Sequence, residues 1–345
     1  MGARSDLSNC AGQKWGTEKL MLRSGGLMLA LLVTAAAPWP SATGAQEAYP
    51  TRTVKIVIPS AAGSTTDTLA RIVADHLTHR WGKPAIVENI PGGAMNIGAS
   101  NVARSAPDGY TLLIAPPSPL SFNHLLYRDP GFDPRGFVPI ALLAKIPNVL
   151  AVRNTLAVDT LKELIDYAKA NPGKLSYASQ GVGSTAHLSA AQLEAQAGIK
   201  MVHVPYRGAQ PALTDVVAGH VDLFFDTLAT SVPLYREGKL KLLGVADARR
   251  ANVAPELPTL SEAGLPGFRS ITWFGLVGPS GMSARLAEKI NHDTVEILTS
   301  NDVADTLRRL SLEPCITSPT DTARFFAEET ALWSQVIKEA GIEPQ

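Results

Sequence analysis

The tripeptide Gly-Ser-Thr occurs twice in this chain, at 63–65 and 183–185, in matching surroundings. Each copy follows a short apolar run (54–58 and 175–178) and precedes a stretch with apolar residues at helical spacing. Both places therefore read as a strand, a Gly-Ser-Thr loop and a helix N-terminus. Such a turn presents free backbone N–H groups, hydroxyls and the positive end of a helix dipole, which is the chemistry of an anion site. Ser and Thr also cap ordinary helices, so a single tripeptide carries little weight. Two of them facing each other across a cleft would hold a small dicarboxylate without a buried Lys or Arg.

The N-terminus reads as a targeting segment. Arg23 is followed by an apolar run over 26–37 and then by small residues at Thr43 and Ala45, the order of a secretory signal peptide cleaved after Ala45. The run is too short and Ala-rich for a transmembrane helix. Residues 1–20 look foreign to this pattern, and Met21 would be a more ordinary start. Removing 1–45 leaves about 300 residues, enough for two domains. Lys and Arg number 31 against 31 Asp and Glu, so the chain lacks the basic footprint of a nucleic-acid binder. Of the two cysteines, Cys10 lies in the leader, so Cys315 cannot form an intrachain disulfide. Its neighbours Leu312, Pro314 and Ile316 suit a buried apolar thiol, and a monomer is expected.

Beyond the leader, strand-like and helix-like segments alternate. Strands are predicted at 54–58, 85–88 and 110–115 with helices at 66–81 and 96–106, a βαβαβ order that implies a parallel sheet covered on both faces. The Pro-rich stretch 116–139 reads as a long surface excursion. A strand at 149–152 carries the chain into a second unit with helices at 161–170, 186–197 and 209–218 and strands at 175–178, 201–204, 221–225 and 240–246. A strand at 271–277 returns, and helices near 283–299, 302–310 and 320–340 finish the chain. This predicts an α/β fold with a discontinuous first lobe (46–149 and 272–345), a second lobe (150–271) and a two-strand hinge. A hinged pair of α/β lobes is the architecture of a ligand clamp.

Ligands of open α/β sheets bind beyond the carboxyl ends of the strands. The loops expected there are 59–67, 91–96, 179–185, 205–209 and the neighbourhood of Asp226, rich in Gly, Ser, Thr, Asn and Tyr and nearly free of cations. The first contributes Ala62, Gly63, Ser64, Thr65, Thr66 and Asp67, and the other copy Gly181, Gly183, Ser184 and Thr185. Asp67 stands in the first helical turn, where an acid is expected on dipole grounds alone. Asp226 ends an apolar run with its carboxylate facing the cleft, and its role stays open.

Other chemistries fit less well. Residues 181–186 match Gly-x-Gly-x-x-Ala, but the next strand and its loop, 202–208, supply no acid for a ribose, and export argues against a nicotinamide enzyme. No Gly-x-Ser-x-Gly elbow occurs, and neither Ser64 nor Ser184 has a visible base. His187 reads as a first-turn polar group or a packed imidazole. His76 and His79 lack companion ligands at zinc spacing. No catalytic residue, cofactor or metal is expected.

Many short segments together resemble the Bug family of periplasmic substrate-binding proteins. They include Tyr49-Pro50, the loop from Pro59 through Ala62-Gly63 to Thr66-Asp67, Asn96-Ile97-Gly98-Ala99 and 106–113. Asn171-Pro172-Gly173, Gly183-Ser184-Thr185 with His187, 202–206 and Trp273-Phe274-Gly275-Leu276 extend the match over the whole chain after the leader. The resemblance implies a non-catalytic Venus flytrap serving the membrane subunits of a tripartite tricarboxylate transporter. It implies a small organic acid held by the two Gly-Ser-Thr loops, partly through water, with Tyr206, Gly208 and Asp226 nearby. An orphan receptor signalling to a sensor would carry the same residues. The family commonly has Phe-Pro where this chain has Ser60-Ala61, and Gly-Ala where it has Ser64-Thr65, which predicts a roomier, more polar pocket. Ile90 stands where Arg is common and Ser311 where Gly is common.

Overall fold

The computed structural model describes residues 49–206 and 208–344; the signal-peptide reading falls outside them. No helix among the described residues is long and apolar enough to cross a membrane.

One ten-stranded sheet organises the chain. Its first half comprises β1 (Val54–Ile58), α1 (Thr65–Trp81), β2 (Ala85–Asn89), α2 (Asn96–Ala103) and β3 (Thr111–Ala115), with β1 parallel to both β2 and β3. After α3 (Asn123–Leu126), β4 (Val138–Arg153) runs 16 residues, followed by α4 (Leu161–Ala170). The second half repeats the parallel pattern with β5 (Ser176–Ser179), α5 (Thr185–Ala197), β6 (Val202–Pro205), α6 (Ala209–Ala218) and β7 (Leu223–Thr227), where β5 is parallel to β6 and β7. Then come α7 (Leu228–Arg236), β8 (Leu240–Val245), β9 (Ile271–Gly278), α8 (Ala284–Thr299), α9 (Asn301–Arg309), β10 (Glu313–Pro314) and α10 (Pro319–Glu339). The strand order is β2-β1-β3-β9-β4-β7-β5-β6, with β8 and β10 also pairing β4.

β4 is the seam. Its first part, Val138 to Pro147, pairs antiparallel with β9, and Asn148 to Arg153 pair with β7 and β8. Where the chain passes between the halves, three backbone bonds close a ring: Asn148 N–H donates to Ser270 O (3.2 Å), Ser270 N–H to Ala246 O (2.8 Å) and Ala246 N–H to Asn148 O (2.8 Å). One apolar core draws only on residues 149–268, and two others draw on 54–146 with 271–326. A fourth cluster joins Leu188 of α5 to Phe122, Leu126, Trp333, Val336 and Ile337.

Three sequence expectations need correction. The stretch 116–139 is no surface excursion, because Leu120, Phe122 and Leu126 are buried and the Phe122 ring meets Trp333 edge-on at 5.8 Å. Its prolines break any readable period, so the burial leaves no pattern in the sequence. β4 is far longer than 149–152, and register shifts beside Pro139 and Leu142 let proline sit inside a paired strand. α7 escaped notice because Pro233 lies within it.

Candidate functional site

The two Gly-Ser-Thr loops have the same conformation. Gly63 has φ +81 and Gly183 φ +75, a left-handed setting that favours glycine. Ser64 (φ −71, ψ 162) and Ser184 (φ −73, ψ 160) are the N-caps of α1 and α5. The hydrogen bonds correspond one for one. Ser64 N–H donates to Ala61 O (3.4 Å) and Ser184 N–H to Gly181 O (3.1 Å). Asp67 N–H donates to Ser64 Oγ (3.2 Å) and His187 N–H to Ser184 Oγ (3.3 Å). Gly63 N–H donates to Asp67 Oδ2 (2.9 Å) and Gly183 N–H to His187 Nδ1 (3.1 Å). In each loop the amides of the first two helical residues, Thr65 and Thr66 or Thr185 and Ala186, bond no described residue. The Thr65 and Thr185 hydroxyls are also without a hydrogen-bond partner among the described residues, and both side chains keep some exposure. Each half of the sheet thus offers two amides and a hydroxyl at a positive helix end.

Behind the first loop, Asp67 is buried and fully occupied. Its Oδ2 accepts from Gly63 N–H and Arg71 Nε (3.0 Å), and its Oδ1 from Asn89 Nδ2 (3.0 Å). Asn89 also donates to Ser60 O (3.1 Å), tying the loop to the end of β2. The Arg71 bond, aided by Gly63 and Asn89 and opposed by burial, lowers the Asp67 carboxyl to about 2. Asp67 therefore orders the loop. A carboxylate depressed below its ordinary 3.8 adds stability above that value and loses it as pH falls towards 2. We expect the melting temperature of Asp67→Asn to fall below wild type at pH 7 and to converge with it near pH 2; equal values at pH 7 would refute this role. Ser60 Oγ lies 2.9 Å from Ser64 Oγ, so the two hydroxyls that depart from the family pattern bond each other.

Behind the second loop stands a ring stack. His203 lies 4.3 Å from His187 and 4.9 Å from Tyr177, with planes within 15°. Ser179 Oγ sits 2.7 Å from His203 Nε2 and accepts from Gly181 N–H (3.1 Å). Burial first, then His203, lowers His187 to about 4, so its imidazole is neutral at pH 7. The packed-imidazole reading of His187 is the one observed.

The remaining candidates divide. Tyr206 donates its hydroxyl to Asp215 Oδ2 (2.7 Å) and its N–H to Ser179 O (2.9 Å), placing its loop beside the second Gly-Ser-Thr loop. Burial, with Asp215, raises its phenol to about 12. Gly208, at φ +118, is the N-cap of α6. Asp226 does not face the cleft. It is 1 % exposed, and its Oδ2 accepts from Thr230 Oγ1 (2.5 Å) and Ser231 Oγ (2.8 Å), so its carboxylate is engaged by hydroxyls of the first turn of α7. Its position one strand-end residue before a helix that the sequence hid explains the misreading.

Sequence reasoning missed two features. Leu126 reaches the second loop from α3, and a Cβ added to Gly183 would fall 2.6 Å from its Cδ1. The loop 92–95 holds four successive positive φ values, including Ala94 (+51) and Met95 (+75), with Asn123 Nδ2 donating to Ala94 O (2.9 Å). A groove of about 830 Å³ between α2 and 127–131 is lined by Ile97, Ser100 and Arg104, together with Gly93 and Asn96 of the loop 91–96.

Residues 69–342 match a family model described as TctC, the tripartite tricarboxylate transporter family receptor. Protein BugT of Bordetella pertussis is 31 % identical over 297 residues, 86 % of this chain and 91 % of that one. Among solved structures, Rpa4515 of R. palustris with adipate is 38 % identical with a TM-score of 0.78, covering 86 % of this chain and all of that one. MatC (Rpa3494) from Rhodopseudomonas palustris with bound malate is 33 % identical with a TM-score of 0.75, covering 84 % and 100 %.

Proposed function

Because the chain belongs to the TctC family of tripartite tricarboxylate transporter receptors, which includes the Bug proteins, we propose that it captures a small carboxylated solute and delivers it to the membrane subunits of such a transporter. The family and its solved neighbours are periplasmic substrate-binding proteins rather than enzymes. The protein acts in the periplasm as a monomer after removal of residues 1–45. One lobe comprises 46–149 and 272–345 and the other 150–271, and they close on the solute. The observation that carries this reading is the pair of matching loops, each with unbonded amides at a helix N-terminus and a free Thr hydroxyl. Ala62 to Thr66 and Gly181 to Thr185 contact the anion, and the loop holding Tyr206 and Gly208 borders it. Adipate and malate in the neighbours support a carboxylate.

A thermal-shift screen of the chain from residue 46 against mono-, di- and tricarboxylic acids tests this. A ligand at 100 times its Kd adds about 2.7 kcal/mol, a shift of a few degrees. Silence from every acid, adipate and malate included, would sink the reading. Within the site, Thr185→Ala removes an unbonded hydroxyl and should weaken binding at about 1.5–3 kcal/mol with little change in the melting temperature. Ser184→Ala also removes a helix cap, so it should cost about 1 kcal/mol of stability besides. Unchanged affinity in both variants would remove the second loop from the site.

A further inference from the structure

The two loops are closed from behind by the same bond but by different chemistry. In each, the residue four places after the glycine accepts the glycine N–H, Asp67 in the first and His187 in the second. A carboxylate accepts this bond in its charged form. An imidazole Nδ1 accepts it only while that nitrogen carries no proton, which leaves the proton of the neutral ring on Nε2. His203 acts at the other glycine, because the Ser179 hydroxyl it contacts receives the Gly181 N–H. Two stacked imidazoles therefore hold both glycines of the second loop.

We propose that His187 and His203 are positioning residues for this loop, and that a proton on His187 Nδ1 sets two donors against each other at Gly183, opens the loop and releases the bound acid. This rests on the reading of the loops as the solute site. It makes the second loop the acid-sensitive half of the clamp, while Asp67 keeps the first one shut.

Among the described residues, no neighbouring carboxylate is left unengaged to offset the added proton. Tyr177 on β5 and His203 on β6 face the ring directly. Asp226 on β7 is held by Thr230 and Ser231, and Glu329 on α10 by Arg269, Trp273 and Trp333. Glu194 of α5 itself accepts from Met201 N–H (2.7 Å). With its pKa lowered to about 4, His187 changes charge well below the ordinary 6.5 of histidine. Asp67, lowered to about 2, keeps accepting below that point.

Long-range ¹H–¹⁵N spectra of the chain from residue 46 should show the Nε2–H tautomer of His187 at pH 7. From pH 7 to 3, which spans the His187 transition near 4, the Gly183 amide shift should follow the titration of the ring. Adipate affinity, taken as the ratio of wild type to His187→Gln, should fall about tenfold per pH unit below the ring's midpoint, because Gln keeps an acceptor for Gly183 at every pH. The ratio cancels the protonation of adipate itself. An Nδ1–H tautomer, a Gly183 amide blind to the ring, or a flat ratio would each overturn the proposal. If wild type binds neither adipate nor malate at pH 7.5, the function reading fails, and the tautomer and Gly183 arms still judge the positioning role.

Discussion

Gly183→Ala should destabilise the protein by about 2–4 kcal/mol, whereas Gly63→Ala, in the matching loop, should cost only about 1–2 kcal/mol. Both glycines have the same left-handed φ, so an alanine meets the same backbone penalty at either place. Their surroundings differ. Nothing lies within 4 Å of a Cβ built on Gly63, but one built on Gly183 meets Leu126 Cδ1 at 2.6 Å. Leu126 is 2 % exposed and belongs to the cluster shared by α3, α5 and α10, so it has little room to withdraw. The difference between the two variants therefore measures how closely α3 is pressed on the second loop. If the loops hold the solute as proposed, affinity for whichever acid the thermal-shift screen identifies should fall about 30-fold or more in Gly183→Ala, and Leu126→Ala in the same chain should restore the steric share but not the φ share. Urea denaturation and calorimetric titration give both quantities. Equal costs for Gly63→Ala and Gly183→Ala would show that the contact with Leu126 carries no energy.

The repeated tripeptide was legible because its chemistry is local. A glycine that must take positive φ, a serine cap and an acceptor four residues later all lie within five positions, and both copies folded alike. The parallel trios β2-β1-β3 and β6-β5-β7 were legible for a similar reason, since doubly buried strands such as Val54–Ile58 leave short apolar runs. Ser311, at the position where the family commonly has glycine, takes φ +57, so the departure is a side chain accepted in a left-handed turn. What escaped was non-local or masked by proline. Pro139 and Pro147 broke β4 into fragments, Pro233 hid α7, and the prolines after β3 disguised the burial of Phe122 and Leu126. The hiding of α7 also reversed Asp226, whose carboxylate looked free only while Thr230 and Ser231 had no helix to sit on. The Gly-x-Gly-x-x-Ala match at 181–186 failed as a dinucleotide signal for a physical reason as well, because His187 already takes the Gly183 N–H.

Glu329→Ala should cost about 3–5 kcal/mol. The Glu329 side chain is 1 % exposed and accepts from three donors: Arg269, Trp273 Nε1 (2.8 Å) and Trp333 Nε1 (3.3 Å). Removing it strands two indole N–H groups inside fully buried tryptophans, each worth about 1–3 kcal/mol when unsatisfied. Arg269 keeps about a third of its exposure and can turn to water, which limits the loss on that side. The expected fall in melting temperature is roughly 2–4 °C per kcal/mol for a chain approaching this size. Glu329→Gln keeps the shape and one acceptor oxygen, so it should cost about half as much. The consequence reaches the site because Arg269 directly precedes Ser270, which bonds Asn148 through main chain and side chain and contacts Ser189 at 2.5 Å. Ser189 in turn donates to Thr185 O (2.6 Å), so an unbroken set of contacts runs from Glu329 through the crossing strands to the second loop. Loosening Glu329 should therefore weaken binding of the acid that the thermal-shift screen identifies in Glu329→Gln, where the fold survives, by more than Arg52→Ala, which breaks an exposed pair with Asp108. A Glu329→Gln variant that is destabilised yet binds that acid as wild type does would show that α10 supports the core alone and leaves the hinge free.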